Sequence, residues 1–277
     1  MSWRPKWWLS FLTAIWPVTG VSAKATQLPI IGKFLAAMAI PLFSGRNFNV
    51  SYIPINEELK GPESLHLPLM VLEELIRRSA HRVTINRCHC RESKGCKDYP
   101  IEKACLLMGQ GTMEIEPWIA TPLSVGEAIE HARHMVGLGL TPMVGRVLMD
   151  NFFYGIPNTG KLLTVCFCCH CCCTVMASAR YFPEKAKDSI VRLKGMKITV
   201  DPEICKECRS WECLDGCIVK AFTFEGGQVM HDAQRCKGCG WCVSLCPHKA
   251  VRAEVEDLDA AVDEVIGRIE SMVNYSS

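Results

Sequence analysis

The sequence predicts an α+β protein in four parts: an apolar N-terminal segment, a cysteine-rich α/β domain, a smaller cysteine-containing domain and a C-terminal helix. Three observations support this division. Strand-like and helix-like stretches alternate along the chain. The cysteines fall into separated groups, and the C-terminal residues repeat apolar side chains at helical spacing. We expect the parts at residues 1–45, 46–195, 196–256 and 257–277.

Composition narrows the class of protein. The 277 residues include 31 Lys+Arg and 29 Asp+Glu, for a net charge of +2. This balance argues against a protein that binds nucleic acid through charge, and the 49% hydrophobic share argues against a disordered chain. Cysteine is the unusual residue, with 18 copies. A disulfide scaffold, buried thiols, zinc sites and iron–sulfur sites all use cysteine, and spacing distinguishes them.

The N-terminal segment is apolar and rich in tryptophan. Residues 7–23 and 34–45 carry no charge, but each stretch is shorter than the roughly 20 residues of a membrane span. A signal peptide with Arg4 and Lys6 as its basic start is one interpretation. A marginal transmembrane helix is another. The short, broken, aromatic pattern favours a third, a segment that lies at a membrane interface or docks on a partner.

Local patterns predict the elements of the remaining parts. In the second part we expect a connector at 46–60, a helix at 69–78, strands at 82–86 and 161–165, and a helix from Ser124 to about Gly137. Ser124 and Glu127 have the spacing of a capping box. In the third and fourth parts we expect strands at 197–200 and 250–255, a hairpin pairing 221–224 with 228–230, and a helix over 257–273.

The clearest motif lies near the C-terminus. Cys236, Cys239, Cys242 and Cys246 are separated by two, two and three residues, and Pro247 follows. Three thiolates at this spacing wrap one 4Fe-4S cubane, and the fourth is carried to a second cubane. Zinc fits poorly, because it needs four ligands and usually takes them from two separated pairs.

A related group lies about thirty residues upstream. It consists of Cys205, Cys208, Cys213 and Cys217, with two extra residues before the third cysteine. Together the two groups make residues 196–256 resemble a bacterial two-cluster 4Fe-4S ferredoxin. The resemblance implies a dicluster domain with crossed ligation. One cluster would be held by Cys205, Cys208, Cys213 and Cys246, and the other by Cys217, Cys236, Cys239 and Cys242.

The other ten cysteines form two blocks. They are Cys88, Cys90, Cys96 and Cys105, then Cys166, Cys168, Cys169, Cys171, Cys172 and Cys173. Adjacent cysteines rarely bridge each other, and a buried thiol cluster is prone to oxidation, so we interpret all ten as metal ligands. An extended second block would place Cys166, Cys168 and Cys172 on one face and Cys169, Cys171 and Cys173 on the other. Ten thiolates suffice for two cubanes with two ligands spare, or for a larger non-cubane cluster.

Residues 50–195 also resemble an uncharacterised cysteine-rich iron–sulfur family of anaerobic bacteria and archaea. The resemblance rests on the start Cys88-His-Cys90-Arg91 and on the later dense cysteine string. It implies iron–sulfur chemistry but no particular activity, so no catalytic residue is assigned. Neither a complete G-x-G-x-x-G fingerprint nor a Walker A loop is present, and no site for a nucleotide cofactor is visible.

These patterns predict a multi-cluster iron–sulfur electron-transfer protein serving a larger anaerobic redox complex, a subunit rather than an independent enzyme. We expect two 4Fe-4S clusters in the third part and one or two more iron–sulfur clusters in the second. Redox proteins are the expected partners, and the expected location is the cytoplasm, peripheral at the inner face of the membrane. The alternative is a reductase whose N-terminal cysteine-rich domain carries a special cluster that acts on a small substrate.

Overall fold

A computed structural model describes residues 4–55, 66–206 and 208–277. Its helices are α1 Trp7–Ile15, α2 Pro17–Ala25, α3 Ile31–Ala39, α4 His66–Arg78, α5 His89–Ser93, α6 Val125–Gly137, α7 Leu148–Tyr154, α8 Thr174–Ala179, α9 Glu184–Lys187, α10 Pro202–Cys205, α11 Glu212–Gly216, α12 Trp241–Leu245 and α13 Leu258–Glu270. Its strands are β1 Phe48–Tyr52, β2 Arg82–Ile85, β3 Leu106–Met108, β4 Ala120–Pro122, β5 Thr141–Val147, β6 Leu163–Cys168, β7 Met196–Val200, β8 Phe222–Glu225, β9 Gln228–His231 and β10 Val251–Val255. A short 3-10 helix spans Gln110–Glu114.

The mixture of helices and strands agrees with the α+β class. Six strands form one sheet in the order β1-β5-β6-β3-β2-β4, and every neighbouring pair in it is antiparallel. This corrects the α/β arrangement predicted for the cysteine-rich part, which would require parallel strands joined by helical crossovers. The prediction erred because it rested on only two of the six strands.

Several local predictions are confirmed. The predicted helix at 69–78 lies within α4, and the hairpin of β8 and β9 pairs Phe222 with His231. The capping box is formed, since the Glu127 amide donates to Ser124 Oγ at 3.2 Å and the Ser124 amide donates to Glu127 Oε2 at 2.8 Å. Interactions between residues close together in the chain determine these features, so they can be predicted from the sequence.

The predicted connector at 46–60 is partly wrong. Its residues 48–52 form β1, which pairs along β5 at the edge of the sheet, and residues 56–60 lie outside the described chain. Four of the five side chains of β1 are buried. A strand covered on both faces lacks the polar–apolar alternation by which strands are recognised in a sequence.

The C-terminal helix packs on the cysteine-rich part. The apolar face of α13 includes Val265 and Ile269, both 0% exposed, and belongs to the same buried cluster as the apolar residues of α4. Arg78 Nη1 donates to Glu270 Oε1 at 3.0 Å, and the Ala80 amide donates to the Tyr275 carbonyl at 2.9 Å. The same cluster also holds residues of β7 and β10, so the second, third and fourth parts share one core.

The N-terminal residues form three helices of nine residues each, α1 to α3. No helix among the described residues combines the length and the apolar character needed to cross a bilayer. Leu12 and Ala23 are buried against the rest of the molecule. Of seventeen strongly exposed large apolar side chains in the described residues, eleven lie between positions 7 and 42.

The packing of α13 yields a stability prediction. We expect Ile269→Ala to lower the free energy of unfolding by about 2–5 kcal/mol, because it removes a fully buried side chain and leaves a cavity. Denaturant unfolding followed by circular dichroism measures this. Asp263→Ala, at an exposed position of the same helix, is the matched control and should change the value by less than about 0.5 kcal/mol. Equal effects of the two substitutions would contradict the packing described here.

Candidate metal centres

The second cysteine block is only partly extended. Strand β6 ends at Cys168, and the chain then turns before α8 begins at Thr174. Cys173 returns to Cys168, with 3.4 Å between their Sγ atoms. The division into two faces holds only for an extended segment, so it does not apply to Cys172 and Cys173, which exchange sides because the turn reverses the chain.

One set of thiols is the four-cysteine group: Cys96, Cys169, Cys171 and Cys172. Their sulfur atoms all lie within 4.8 Å of one another. Cys171 is exposed, whereas Cys169 and Cys172 are buried, so the group lies at the surface of the molecule. Four soft thiolate ligands in one place suit zinc or an iron–sulfur cluster. One member comes from the first block and three come from the second.

A second set is the six-cysteine group. It is defined by interactions between the thiols of its members, which are Cys88, Cys90, Cys105, Cys166, Cys168 and Cys173. The Sγ atoms of Cys105 and Cys166 are 3.4 Å apart, and the thiols of Cys88 and Cys90 hydrogen-bond to each other. The sheet register explains the first contact. Leu106 pairs with Val165 across the antiparallel β3–β6 ladder, so the next residues outward, Cys105 and Cys166, also face each other.

Burial and mutual repulsion shape the chemistry of this group. The pKa of Cys168 is raised by its hydrogen bond with Cys173, by burial and by the charge of the Cys173 thiol. The hydrogen bond from Cys90 lowers the pKa of Cys88 to about 5, and the Arg91 charge adds to this effect. Crowded buried thiols resist ionising together. A bound metal removes this conflict, because it binds thiolates and releases their protons.

Arg91 is a buried cation between the two groups. Its side chain is 1% exposed, and none of its three guanidinium nitrogens has an oxygen or nitrogen partner in the described structure. Its charge interacts with the thiols of Cys88, Cys105 and Cys169, which belong to both groups. A buried charge is costly unless opposite charge offsets it, so this position fits a guanidinium that offsets the negative charge of a metal–thiolate centre.

Tyr52 lies between the six-cysteine group and the C-terminal cysteines. It is 0% exposed, and its hydroxyl has no hydrogen-bond partner among the described residues. Burial raises the pKa of Tyr52, and so do the nearby thiols of Cys168, Cys173 and Cys239. One side chain of β1 therefore adjoins cysteines from both halves of the chain.

The eight C-terminal cysteines gather in two sets. Burial raises the pKa of Cys213 to about 11, and the thiols of Cys246, Cys205 and Cys208 add to it. Burial likewise raises the pKa of Cys239 to about 12, and Cys217 and Cys236 contribute. The thiol of Cys242 interacts with Cys217, Cys236 and Cys239, and also with Cys213. These neighbours coincide with the crossed ligand sets that the ferredoxin resemblance implies.

The backbone conformation that follows Cys217 is repeated after Cys246, as is the flanking sequence. The Ala221 amide donates to Cys217 Sγ at 3.2 Å, and the Ala250 amide donates to Cys246 Sγ at 3.2 Å. The residues just before these alanines, Lys220 and Lys249, have φ of 53° and 54°. Backbone N–H groups directed at sulfur stabilise thiolate charge. The donor set and these amides therefore fit iron–sulfur clusters.

Two glycines allow the loop between these cysteines to fit its surroundings. Gly238 and Gly240 have φ of 70° and 76°. A Cβ on Gly238 would lie 2.7 Å from Arg192 Cγ, and one on Gly240 would lie 2.6 Å from Pro54 Cβ. Only glycine combines the left-handed backbone with such close approach. The loop thereby packs directly on the cysteine-rich part.

Some residues at these centres had weak signals in the sequence. In the sequence, Arg91 is one of four cations near the first cysteine block, with Arg87, Lys94 and Lys97, and Tyr52 falls within the predicted connector. His89 is 4% exposed, and burial followed by the Arg87 charge lowers its pKa to about 4. Burial also raises the pKa of Asp150 to about 6, although Thr164 Oγ1 donates to its carboxylate at 2.7 Å. These residues are recognised by the side chains that surround them in the fold. Those side chains are distant from them in the chain.

Comparison with known proteins agrees with this chemistry. A family profile described as a 4Fe-4S binding domain matches residues 229–252. An uncharacterized ferredoxin of Methanocaldococcus jannaschii is 36% identical over 62 residues, which are 22% of this chain and 100% of the relative. Through this region the chain belongs to the 4Fe-4S ferredoxins, and its cysteines indicate 4Fe-4S clusters. No solved structure matches the chain.

Larger relatives match over shorter shares of their length. A tetrathionate reductase subunit of Archaeoglobus fulgidus is 31% identical over 88 residues, 31% of this chain and 42% of the relative. A formate dehydrogenase iron–sulfur subunit of Wolinella succinogenes is 29% identical over 90 residues, 31% of this chain and 45% of the relative. The chain thus spans less than half the length of these two relatives, which are named as subunits of redox enzymes.

The position of Arg91 yields a second prediction. We expect Arg91→Met to keep the apolar volume but to lose on the order of four irons per chain. The physical reason is that an uncompensated buried charge costs about 3–5 kcal/mol. Iron and sulfide analysis of the anaerobically purified protein measures the loss. Arg133→Met removes an exposed arginine that pairs with Glu73 on the surface and should retain all iron. Full iron content in both variants would contradict a charge-compensating role.

Proposed function

We propose that this protein is an electron-transfer subunit of a larger anaerobic redox complex, with four metal–thiolate centres in succession. The ferredoxin family membership and the relatives named as reductase and dehydrogenase subunits support the class of function. The observation that carries the proposal is spatial continuity. Interactions between thiols link the cysteines into four sets that follow one another through the molecule, and one of these sets, the four-cysteine group, has all its sulfur atoms within 4.8 Å of one another.

The succession can be followed residue by residue. Cys242 adjoins Cys213, which brings the two C-terminal sets together. Tyr52 lies beside Cys239 of one of these sets and beside Cys168 and Cys173 of the six-cysteine group. The thiol of Cys169 in the four-cysteine group interacts with Cys173 in turn. Electrons pass only between centres that are close together, so this contiguity supports conduction through the length of the molecule.

The chain's own residues have defined tasks in this proposal. We assign the eight C-terminal cysteines as ligands of two 4Fe-4S clusters in a dicluster domain at 196–256. The four-cysteine and six-cysteine groups hold one further cluster each in the domain at 46–195. Bound clusters supply one-electron redox chemistry. The protein positions them, excludes water with the shared apolar core and offsets thiolate charge with Arg91 and backbone amides.

Metal content tests the proposal. We expect about sixteen irons per chain, since four groups each holding a 4Fe-4S cluster contain four irons apiece. Cys169→Ser combined with Cys172→Ser should remove about four irons and leave the ferredoxin signals in electron paramagnetic resonance unchanged. Cys239→Ser is the matched variant in the ferredoxin-like part, and it should alter those ferredoxin signals while sparing the four-cysteine group. Iron confined to the C-terminal cysteines would contradict the proposed succession.

We further propose that helices α1 to α3 rest on an anionic membrane surface at the cytoplasmic face. Their outward side chains include Trp7, Phe11 and Phe34, which are 61%, 44% and 67% exposed. Residues 1–56 contain five Lys or Arg and no Asp or Glu. A basic segment with exposed aromatic side chains suits insertion among anionic headgroups.

Vesicle binding tests this placement. Because each exposed ring contributes about 1.5–3 kcal/mol when it is removed from water, Trp7→Ser combined with Phe34→Ser should weaken binding at least roughly tenfold. Co-sedimentation of the iron-loaded protein with phosphatidylglycerol vesicles measures it. Phe224→Ser combined with Met230→Ser, on the exposed β8–β9 hairpin, should leave binding unchanged. If both double variants bind as the parent does, the segment contacts something other than lipid.

The alternative function also has a specific observation in its favour. The six-cysteine group contains two more thiols than a cubane needs, and four of the six border an internal cavity. A special cluster there would make the protein a reductase of a small substrate. Mössbauer spectra that show only cubane irons would reject this alternative, whereas a distinct iron species lost in Cys90→Ser would favour it.

A further inference from the structure

A surface groove of about 670 Å³ lies between the end of the N-terminal segment and helix α7. Leu42 lines it from the N-terminal segment, and Met149 and Phe152 line it from α7. The loop that follows α7 supplies Ile156 and Pro157. None of the described residues that line the groove is a cysteine, so it is not part of a metal centre. Its volume and its apolar lining are typical of small-molecule sites.

Arg4 is the one charged residue among the described residues that line the groove. Its guanidinium lies 4.5 Å from the centre of the Trp8 ring and 5.4 Å from that of Phe152. It donates a hydrogen bond to the Phe152 carbonyl, and it forms no ion pair with the described residues. A guanidinium has five N–H donors, so several of those on Arg4 lack a protein partner. The groove therefore offers hydrogen-bond donors and positive charge at one place on an otherwise apolar surface.

Two further arginines add positive charge beside Asn158, which also lines the groove. Arg146 Nη2 donates to Asn158 Oδ1 at 2.7 Å, and Arg146 Nη1 donates to the Met272 carbonyl at 3.2 Å. Burial lowers the pKa of Arg146, and the charge of the exposed Arg46 adds to this effect. Neither arginine forms an ion pair within the described part of the chain. Positive charge without a counter-ion attracts anions to this side of the groove.

The groove adjoins the aromatic side of α1. Phe152 is 55% exposed, and the centre of its ring lies 6.1 Å from that of Trp8. Trp8 in turn contacts Trp7 and Phe11, with 6.2 and 5.7 Å between ring centroids. Trp7 and Phe11 belong to the exposed surface that we propose to rest on anionic lipid. The groove is thus continuous with that surface.

We propose that this groove binds one anionic phospholipid, whose acyl chain lies along Leu42, Phe152 and Ile156 and whose phosphate accepts hydrogen bonds from Arg4. Guanidinium and phosphate form strong, charge-assisted hydrogen bonds that are frequently bidentate. The inference rests on the proposed contact of α1 to α3 with an anionic membrane, and it assigns one lipid-binding position within that contact.

Isothermal titration calorimetry of the iron-loaded full-length protein with dioctanoylphosphatidylglycerol tests this binding, with the lipid kept below its critical micelle concentration. Octyl glucoside monomers serve as the uncharged amphiphile, and glycerol 3-phosphate serves as the headgroup without chains. We expect the phospholipid to bind more tightly than either. Arg4→Gln should weaken phospholipid binding roughly tenfold, because a charge-assisted hydrogen bond at a partly exposed site is lost. It should leave octyl glucoside binding unchanged, and Arg4→Lys, which keeps the charge, should recover most of the loss.

Two other variants separate the charge from the apolar lining. Lys33→Gln, at an exposed position of α3 outside the groove, removes one charge from the same segment and is the matched control. It should change phospholipid binding by less than about twofold, since charges at exposed sites act weakly. Leu42→Ser removes part of the apolar lining and should weaken both amphiphiles roughly 3- to 10-fold. Iron content and circular dichroism verify that each variant is folded.

Three results would overturn the proposal. The first is unchanged phospholipid binding in Arg4→Gln, and the second is equal weakening by Arg4→Gln and Lys33→Gln, which would make the attraction diffuse. The third is glycerol 3-phosphate that binds as tightly as the phospholipid, which would make this a site for free phosphate esters. If Arg4→Gln does not fold, Arg46→Gln decides instead, since Arg46 is exposed and its loss should weaken phospholipid binding roughly twofold or more; unchanged binding there would also overturn the proposal.

The groove and the membrane contact fail separately. Vesicle co-sedimentation that depends on Trp7 and Phe34, combined with no binding of the monomeric phospholipid, would end the groove proposal alone. Monomer binding that depends on Arg4, combined with vesicle binding that does not depend on Trp7 and Phe34, would end the proposed membrane contact and leave a lipid-binding groove. Neither result alters the iron count that tests electron transfer.

Discussion

Thiols that are buried side by side resist ionising together. Much of this structure offsets that resistance with hydrogen bonds, a buried charge and a rigid sheet. Burial and neighbouring sulfurs raise the pKa of Cys166 and Cys168, whereas the hydrogen bond from Cys90 and the charge of Arg91 lower that of Cys88. This group contains thiols of raised pKa and a thiol of lowered pKa. It suits a metal, because a metal binds all of them as thiolates. The sheet supplies the rigid frame, because the β3–β6 register sets Cys105 opposite Cys166.

The need to hold buried thiols together also joins the cysteine-rich part to the ferredoxin-like part. The ferredoxin loop can approach Pro54 because Gly240 has no Cβ, and Tyr52 at the end of β1 reaches the thiols of both halves. Helix α13 then folds back on α4 and completes a buried cluster to which both regions contribute. A shared apolar core keeps water away from the buried cysteines and holds the two regions at a fixed separation. That rigidity is what electron transfer between neighbouring centres requires.

The N-terminal helices have two apolar sides with different roles. The inner side roofs the cavity beside the six-cysteine group, with Trp16 Nε1 donating to Thr174 Oγ1 at 2.9 Å. The outer side presents Trp7 and Phe34 to the surroundings.

Features that depend on neighbours close in the chain can be predicted from the residues alone. Spacing alone predicted the ferredoxin cysteines, Ser124 and Glu127 predicted the start of α6, and Gly226-Gly227 predicted the hairpin. Contacts between residues that are distant in the chain follow from the packing of the whole fold. The turn after Cys168 reassigned Cys172 and Cys173, and long-range packing brought Cys96 to the four-cysteine group. Strand order and chain reversal are set by the packing of the whole core, and no local pattern of residues contains that information.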